Sequence, residues 1–163
     1  MIDQPRRLVV VSNRLPLVLS PGADGGLVSK PGSGGLVTAL LPVLRDRGGV
    51  WVGWPGIADH TAEVEAALDR SAKKAGYRLA PVALSAEDQA GFYHGFSNEV
   101  LWALFHDLQS LCNFDPSYWR SYCEVNHHYA QVVLAEARPD DFIWAHDYQL
   151  LLLAAELRRA GFT

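Results

Sequence analysis

The run Phe142-Ile143-Trp144-Ala145-His146-Asp147-Tyr148-Gln149-Leu150 constrains the fold more than any other segment of the 163-residue chain. Its first part reads as a buried strand over 142–146, which turns without a linker into an apolar helix over 148–160. A strand feeding directly into a helix belongs to an open parallel α/β sheet, where ligands sit outside the carboxyl ends of the strands. An imidazole, a carboxylate, a phenol and an amide stand in succession at that point. The counterpart lies near the amino terminus. Leu8-Val9-Val10-Val11 reads as a strand buried on both faces, and Ser12-Asn13-Arg14 follows at its carboxyl end.

The segments between alternate in the same way. Val50-Trp51-Val52-Gly53-Trp54 and Tyr77 to Leu84 read as strands, and Leu15 to Leu19 continues or pairs with the first strand. Leu36, Leu40, Val43 and Leu44 share one face of a helix that Gly48-Gly49 stops. Thr61 caps a helix reaching Ala75, with Gly76 just past its end. Ser85 caps another, with Glu87 and Asp88 in the first turn, where the helix dipole favours them. Val100 to Phe105 has helical character, and Asp115-Pro116 opens a helix running to about Ala137. Pro21 to Gly35 reads as a glycine-rich loop. Strands alternating with helices predict a Rossmann-like parallel sheet with helices on both faces, forming a single lobe over residues 1–163. The chain stops at Gly161-Phe162-Thr163, where a further strand is expected. The reading is therefore a lobe incomplete at its C-terminal end, with an open sheet edge that invites a homo-oligomer.

Composition excludes several function classes. The net charge is −4, from 14 basic and 18 acidic residues, against the basic face of a nucleic-acid binder. Cys112 and Cys123 are too few for a disulfide framework and read as reduced thiols. The apolar stretch Leu8 to Val11 after Arg6-Arg7 is too short for a signal peptide or a membrane span. A soluble cytoplasmic protein is expected.

Arg14 at a strand end suits a phosphate, because the guanidinium fork makes paired charge-assisted bonds; an ion pair with Asp147 or another surface carboxylate is the alternative. Gly32-Ser33-Gly34-Gly35 opens a helix, which allows backbone N–H groups to meet an anion. It matches neither the dinucleotide nor the P-loop spacing, and a plain flexible loop is the alternative. The stretch Phe92 to Trp102 is dense in aromatics with polar tips, which suit a sugar face and equally suit a core. Trp51 and Trp54 pose the same choice. Cys123 and His127 have the i, i+4 spacing of a metal pair, but no third ligand accompanies them. Asp147 with Glu99 could form a carboxylate pair for glycoside hydrolysis, with a separation that spacing leaves open.

Five of these segments, in order, resemble the trehalose-6-phosphate synthase family. They are Val9-Val10-Val11-Ser12-Asn13-Arg14-Leu15-Pro16, Gly34-Gly35-Leu36, Trp51-Val52-Gly53-Trp54-Pro55-Gly56, Tyr93-His94-Gly95-Phe96-Ser97-Asn98 with Leu101-Trp102, and His146-Asp147-Tyr148-Gln149-Leu150. The resemblance implies the N-terminal lobe of a two-lobed GT-B retaining glycosyltransferase. Such an enzyme moves glucose from a nucleotide sugar of the UDP-glucose type to glucose 6-phosphate, without metal or cofactor. By resemblance, Arg14 and Tyr93 bind the acceptor phosphate and Asp147 holds acceptor hydroxyls. Trp102 shapes the acceptor pocket, Trp54 lines it, and Gly34 and Gly35 approach the donor diphosphate. Ala103 replaces the proline that often follows Trp102 in the family. The family's His-Ile-Pro-Phe-Pro segment and the basic pair of its second lobe fall beyond Thr163, so the chain alone is expected to be inactive. A stand-alone sugar-phosphate module is the alternative, as is a synthase using another phosphorylated acceptor such as glycerol 3-phosphate.

Overall fold

The computed structural model describes residues 6–22, 26–32, 34–58 and 61–162. Gly25, Ser33 and Thr163, on which parts of the sequence reading rest, lie outside them. In chain order the elements are β1 (Leu8–Arg14), β2 (Leu17–Pro21), β3 (Leu27–Pro31), α1 (Gly35–Arg47), β4 (Gly49–Trp54), α2 (Ala62–Ala75) and β5 (Arg78–Pro81). There follow α3 (Ala86–Asp88), a π-helix (Gln89–Trp102), α4 (Ala103–Phe105), α5 (Pro116–Glu136), β6 (Phe142–Ala145) and α6 (Leu153–Arg159). Short 3-10 turns occupy Gln109–Leu111 and Tyr148–Leu150.

Four strands form a parallel sheet in the order β5-β4-β1-β6. β1 is central, with Val11 opposite Val52 on one side and Ala145 on the other. Alternate residues of β1 enter two separate cores, as the pleat requires. Val9 and Val11 pack with Phe92, Tyr122, Val125, Tyr129 and Leu153, beneath the π-helix, α5 and α6. Leu8 and Val10 pack with Trp51, Leu40, Leu44, Val64 and Leu68, beneath α1 and α2. Helices therefore cover both faces, and Val9, Val10 and Val11 are fully buried. Each fully buried valine stabilises the fold by about 1.5–3 kcal/mol through its removal from water. At the amino ends of the strands, Arg7 Nε and Nη2 donate to both oxygens of Asp141, tying β1 to β6.

The caps read from sequence are present. Thr61 Oγ1 accepts from Val64 N, and Gly76 closes α2 in the left-handed conformation. Ser85 and Asp88 form a reciprocal capping box, and Asp115 Oδ1 accepts from Ser117 N ahead of α5. Other expectations need correction. The segment 21–35 is no plain loop, since Leu27–Pro31 pairs antiparallel with β2 in a two-stranded ribbon. Leu17 and Leu19 are buried on one side of that ribbon, which supplies the apolar face a bare loop lacks. The strand expected over 77–84 is confined to Arg78–Pro81, although Val82 N still reaches Gly53 O (3.0 Å). The strand read as buried over 142–146 is an edge strand that, among the described residues, pairs only with β1, with Phe142 51% and Trp144 45% exposed. The helix expected over 148–160 is a 3-10 turn followed by α6.

The two helices expected around Ser85 and Val100 are one continuous run, and its 14 central residues wind as a π-helix. Such winding usually appears as a single turn, often at a functional site. Here it is seated on α5 through two glycines. A Cβ at Gly95 would lie 2.6 Å from the Tyr118 ring, and one at Gly91 2.3 Å from Ser121 Oγ. No helix among the described residues is long and apolar enough to cross a membrane. Gly95→Ala is expected to destabilise the fold by about 1–3 kcal/mol, the usual cost of overpacking; equilibrium urea denaturation checks this, and an unchanged midpoint refutes it.

Candidate functional site

β1 loses its register with β4 between Val11 and Arg14, and this irregularity turns the chain outward at the carboxyl edge. Gly53 on β4 makes the turn possible, because a Cβ there would lie 2.7 Å from Arg14 C and 2.9 Å from Ser12 O. Three bonds pin the turn. Trp51 Nε1 donates to Ser12 Oγ (2.8 Å), Ser12 Oγ donates to Arg14 O (2.6 Å), and Tyr129 OH donates to Asn13 O (2.7 Å). The Arg14 guanidinium lies 4.6 Å above the centroid of Trp54, whose Nε1 donates to Ile57 O. That stacking keeps the cation at the edge of the sheet without neutralising it. Of the two readings of Arg14, no ion pair with Asp147 forms among the described residues.

β6 ends beside this turn, where His146 N donates to Val11 O (2.8 Å). Asp147 then adopts φ 75 and ψ 167, a conformation that is essentially reserved for glycine. Its Oδ1 accepts from Tyr148 N (2.8 Å), while its side chain remains 48% exposed. The next residues are tied down from α5. Tyr122 OH donates to Tyr148 O (2.7 Å) and accepts from Leu151 N, and Asn126 Nδ2 donates to Gln149 O (3.0 Å). Tyr148 OH in turn donates to Asn98 Oδ1 (3.3 Å) on the π-helix. Burial pushes the Tyr148 phenol above its ordinary pKa, and the charge of Asp147 adds to this, so it stays a donor at neutral pH.

Arg14, Gly34, Gly35, Tyr93 and Asp147 border one open cleft of about 390 Å³, together with His146 and Gln149. A larger hollow of about 520 Å³ lies at the opposite, amino edge, beside Gly49 and Arg78. It lacks such a convergence of groups, and ligands of open α/β sheets sit at the carboxyl edge. Gly34 precedes α1 with φ 141 and no side-chain cap, so the first amides of a 13-residue helix are left for a ligand. The fold thus brings five of the seven residues singled out from sequence to one place. Trp54 is buried beneath Arg14, outside the cleft wall. Trp102 also stands outside that wall, 42% exposed and stacked on His106 with centroids 4.1 Å apart.

The other constellations resolve differently. Glu99 accepts from Asn113 Nδ2 (2.8 Å), away from the cleft lining, so no carboxylate pair with Asp147 stands there. His127 engages Glu156 (3.0 Å) and links α5 to α6. The contributions of Tyr122, Asn126 and Tyr129 were missed. Their signal was present: three polar-tipped residues at helical spacing on an otherwise apolar face.

A parallel sheet with an arginine fork, a strained carboxylate and a glycine-opened helix at its carboxyl edge has the architecture of the N-terminal lobe of a GT-B glycosyltransferase. The chain belongs to glycosyltransferase family 20, which matches residues 6–161. It is 42% identical over 150 residues to a trehalose-6-phosphate synthase of Mycolicibacterium vanbaalenii, covering 92% of this chain and 30% of that protein. It superposes on an α,α-trehalose-phosphate synthase (UDP-forming) of Burkholderia vietnamiensis with a TM-score of 0.73 and 33% identity, covering 97% of this chain and 30% of the other. A Burkholderia xenovorans synthase solved in complex with glucose 6-phosphate matches with a TM-score of 0.69 and 32% identity, covering 96% of this chain and 32% of that one. The chain thus spans about a third of the length of these relatives.

Because Asp147 occupies a backbone region that suits glycine, Asp147→Gly should relieve strain of about 1–3 kcal/mol that Asp147→Ala retains. The glycine variant is expected to melt above the alanine variant in a thermal scan. Equal melting temperatures would show that the conformation stores no strain.

Proposed function

We propose that this chain is the acceptor-binding part of an α,α-trehalose-phosphate synthase, which transfers glucose from a UDP-glucose-type donor to glucose 6-phosphate. The observation that carries the reading is the convergence of Arg14, Tyr93 and Asp147 on one cleft at the carboxyl edge of the sheet. A sugar phosphate has two faces to recognise. Its phosphate suits the Arg14 fork, which is held over Trp54 and, among the described residues, uncommitted to a carboxylate, with the Tyr93 hydroxyl as a further donor. Its hydroxyls suit the exposed carboxylate of Asp147, since a carboxylate has room for several hydrogen bonds and Tyr148 N takes up one. Gly34 and Gly35 leave the α1 amides open to the diphosphate of the donor. In this reading Trp54 acts through Arg14, and Trp102, outside the cleft lining of the single lobe, is the residue assigned to shape the acceptor pocket by family resemblance.

Residues 1–163 then act as one lobe. Charge developing on the leaving diphosphate needs donors aimed at it, and such stabilisation often lowers the barrier more than any other single effect. Such donors belong to the remaining two thirds of a protein of the relatives' length.

Two measurements test the reading. Glucose 6-phosphate should raise the melting temperature of the chain more than glycerol 3-phosphate does, because a ligand that binds only the folded state stabilises it. Arg14→Ala should weaken glucose 6-phosphate binding about 10- to 100-fold, the scale of a lost hydrogen bond to a charged group. No shift with glucose 6-phosphate, or a larger one with glycerol 3-phosphate, would sink the acceptor assignment. The 163-residue chain supplied with UDP-glucose and glucose 6-phosphate is expected to release no UDP in a coupled assay; clear release would show that one lobe suffices.

A further inference from the structure

We propose that α5 is the positioning element of this site, with Tyr129 setting its phosphate side through Asn13, and Tyr122 with Asn126 setting its hydroxyl side through Tyr148 and Gln149. The ligand assumed here rests on the acceptor reading, and everything else on geometry. Tyr122, Asn126 and Tyr129 are the buried polar-tipped residues of α5, and they follow one another at i, i+4 and i+7 along a single helix face. That stripe spans about 10 Å along the axis, enough to reach two neighbouring strand ends. Each of the three ends on a backbone carbonyl next to a recognition residue or one further on. Tyr129 OH meets Asn13 O at 2.7 Å, Tyr122 OH meets Tyr148 O at 2.7 Å, and Asn126 Nδ2 meets Gln149 O at 3.0 Å.

These carbonyls have a reason to need help. Asn13 lies where β1 loses its regular register with β4, and its C=O takes the Tyr129 hydroxyl just before the Arg14–Trp54 pairing, where the strand ends. Tyr148 and Gln149 belong to a single 3-10 turn that ends at Leu150. Buried carbonyls without partners are costly, and side chains are the usual remedy where secondary structure stops. A filler role alone would leave the pattern unexplained, since the three bonds all fall beside Arg14 and Asp147. Asp147 also holds a backbone conformation that persists only when its surroundings over-determine it. The donors are permanent ones. Burial pushes the Tyr129 phenol well above its ordinary pKa and pushes Tyr122 up to about 12, so both keep their protons throughout the neutral range.

The test separates the two sides of the site. Tyr129→Phe and Tyr122→Phe each remove one hydroxyl and keep the ring. Val133→Ala, on the same buried face of α5 but without a polar tip, is the control for plain loss of stability. Calorimetric titration of the full chain uses two probes, inorganic phosphate and glucose 6-phosphate. Tyr129→Phe is expected to weaken both about tenfold, the scale of a displaced charge-assisted bond. Tyr122→Phe is expected to weaken glucose 6-phosphate alone and leave phosphate unchanged. Val133→Ala is expected to lower the melting temperature with both affinities intact. Parallel losses for both probes in both tyrosine variants, or no loss in either, would overturn the assignment. If the unmodified chain binds neither probe, the acceptor reading fails, and ¹⁵N relaxation of the ligand-free chain decides the positioning claim. Loosening confined to residues 13–15 in Tyr129→Phe and to residues 147–149 in Tyr122→Phe upholds it. Uniform or absent change overturns it.

Discussion

Parallel pairing of β1 with β4 on one side and β6 on the other is the constraint from which the rest of the site follows. Strands that run the same way end on the same edge, so Arg14, Trp54 and Asp147 arrive together although 133 positions separate the first from the last. Reversing either neighbour would send its terminal residues to the opposite edge, beside Arg7 and Asp141. The pairing is held because β1 buries both faces. Val9 and Val11 belong to one core and Leu8 and Val10 to the other, so a slip of one residue would exchange the two sets.

Holding polar groups at strand ends imposes a cost, since ladders stop there and the backbone must leave its regular path. The structure meets it with local exceptions. Gly53 vacates the space into which the Ser12–Leu15 turn folds, and Asp147 takes a conformation normally left to glycine. A carboxylate so placed projects from the backbone itself, beside a cation that rests on an indole face. The short Asp147 side chain is fixed by its backbone, and the Arg14 guanidinium by its contact with Trp54. A ligand meeting them would cost less ordering entropy than one meeting two long, free side chains.

What could be read from the sequence was what local chemistry decides. β-branched runs followed by polar turns located β1 and β4, and the helix caps at Thr61, Ser85 and Asp115 declared themselves by residue type. Partnership was not legible. Leu27 to Pro31 looks like loop material because of its flanking glycines and prolines, yet pairing with β2 makes it a strand. Phe142-Ile143-Trp144 has the composition of a central strand, and composition does not count neighbours. Trp54 was given a place in the acceptor-pocket lining by family resemblance alone. Its ring underlies Arg14, a contact that depends on the turn after Val11 and on no sequence spacing.

The π-helix resolves a conflict inside the motif that carries Tyr93 and Trp102. Nine residues make two and a half turns of an α-helix at about 3.6 residues per turn, which would put these aromatics on opposite faces. One of them would then face α5 and the core, and the two could not share a side. Bonding from i to i+5 widens the turn to between four and five residues, so nine residues come to about two full turns. Exposure along the segment follows the wider period: His94 and Glu99 are exposed, while Gly91, Phe92, Gly95 and Val100 are buried. Gly91 and Gly95, about one such turn apart, let the wide helix lie directly against Ser121 and Tyr118 of α5. The glycines and the winding are thus one device. They allow a single helix to fill the core with Phe92 and Val100 while presenting Tyr93 at the cleft and Trp102 two turns further along the same side.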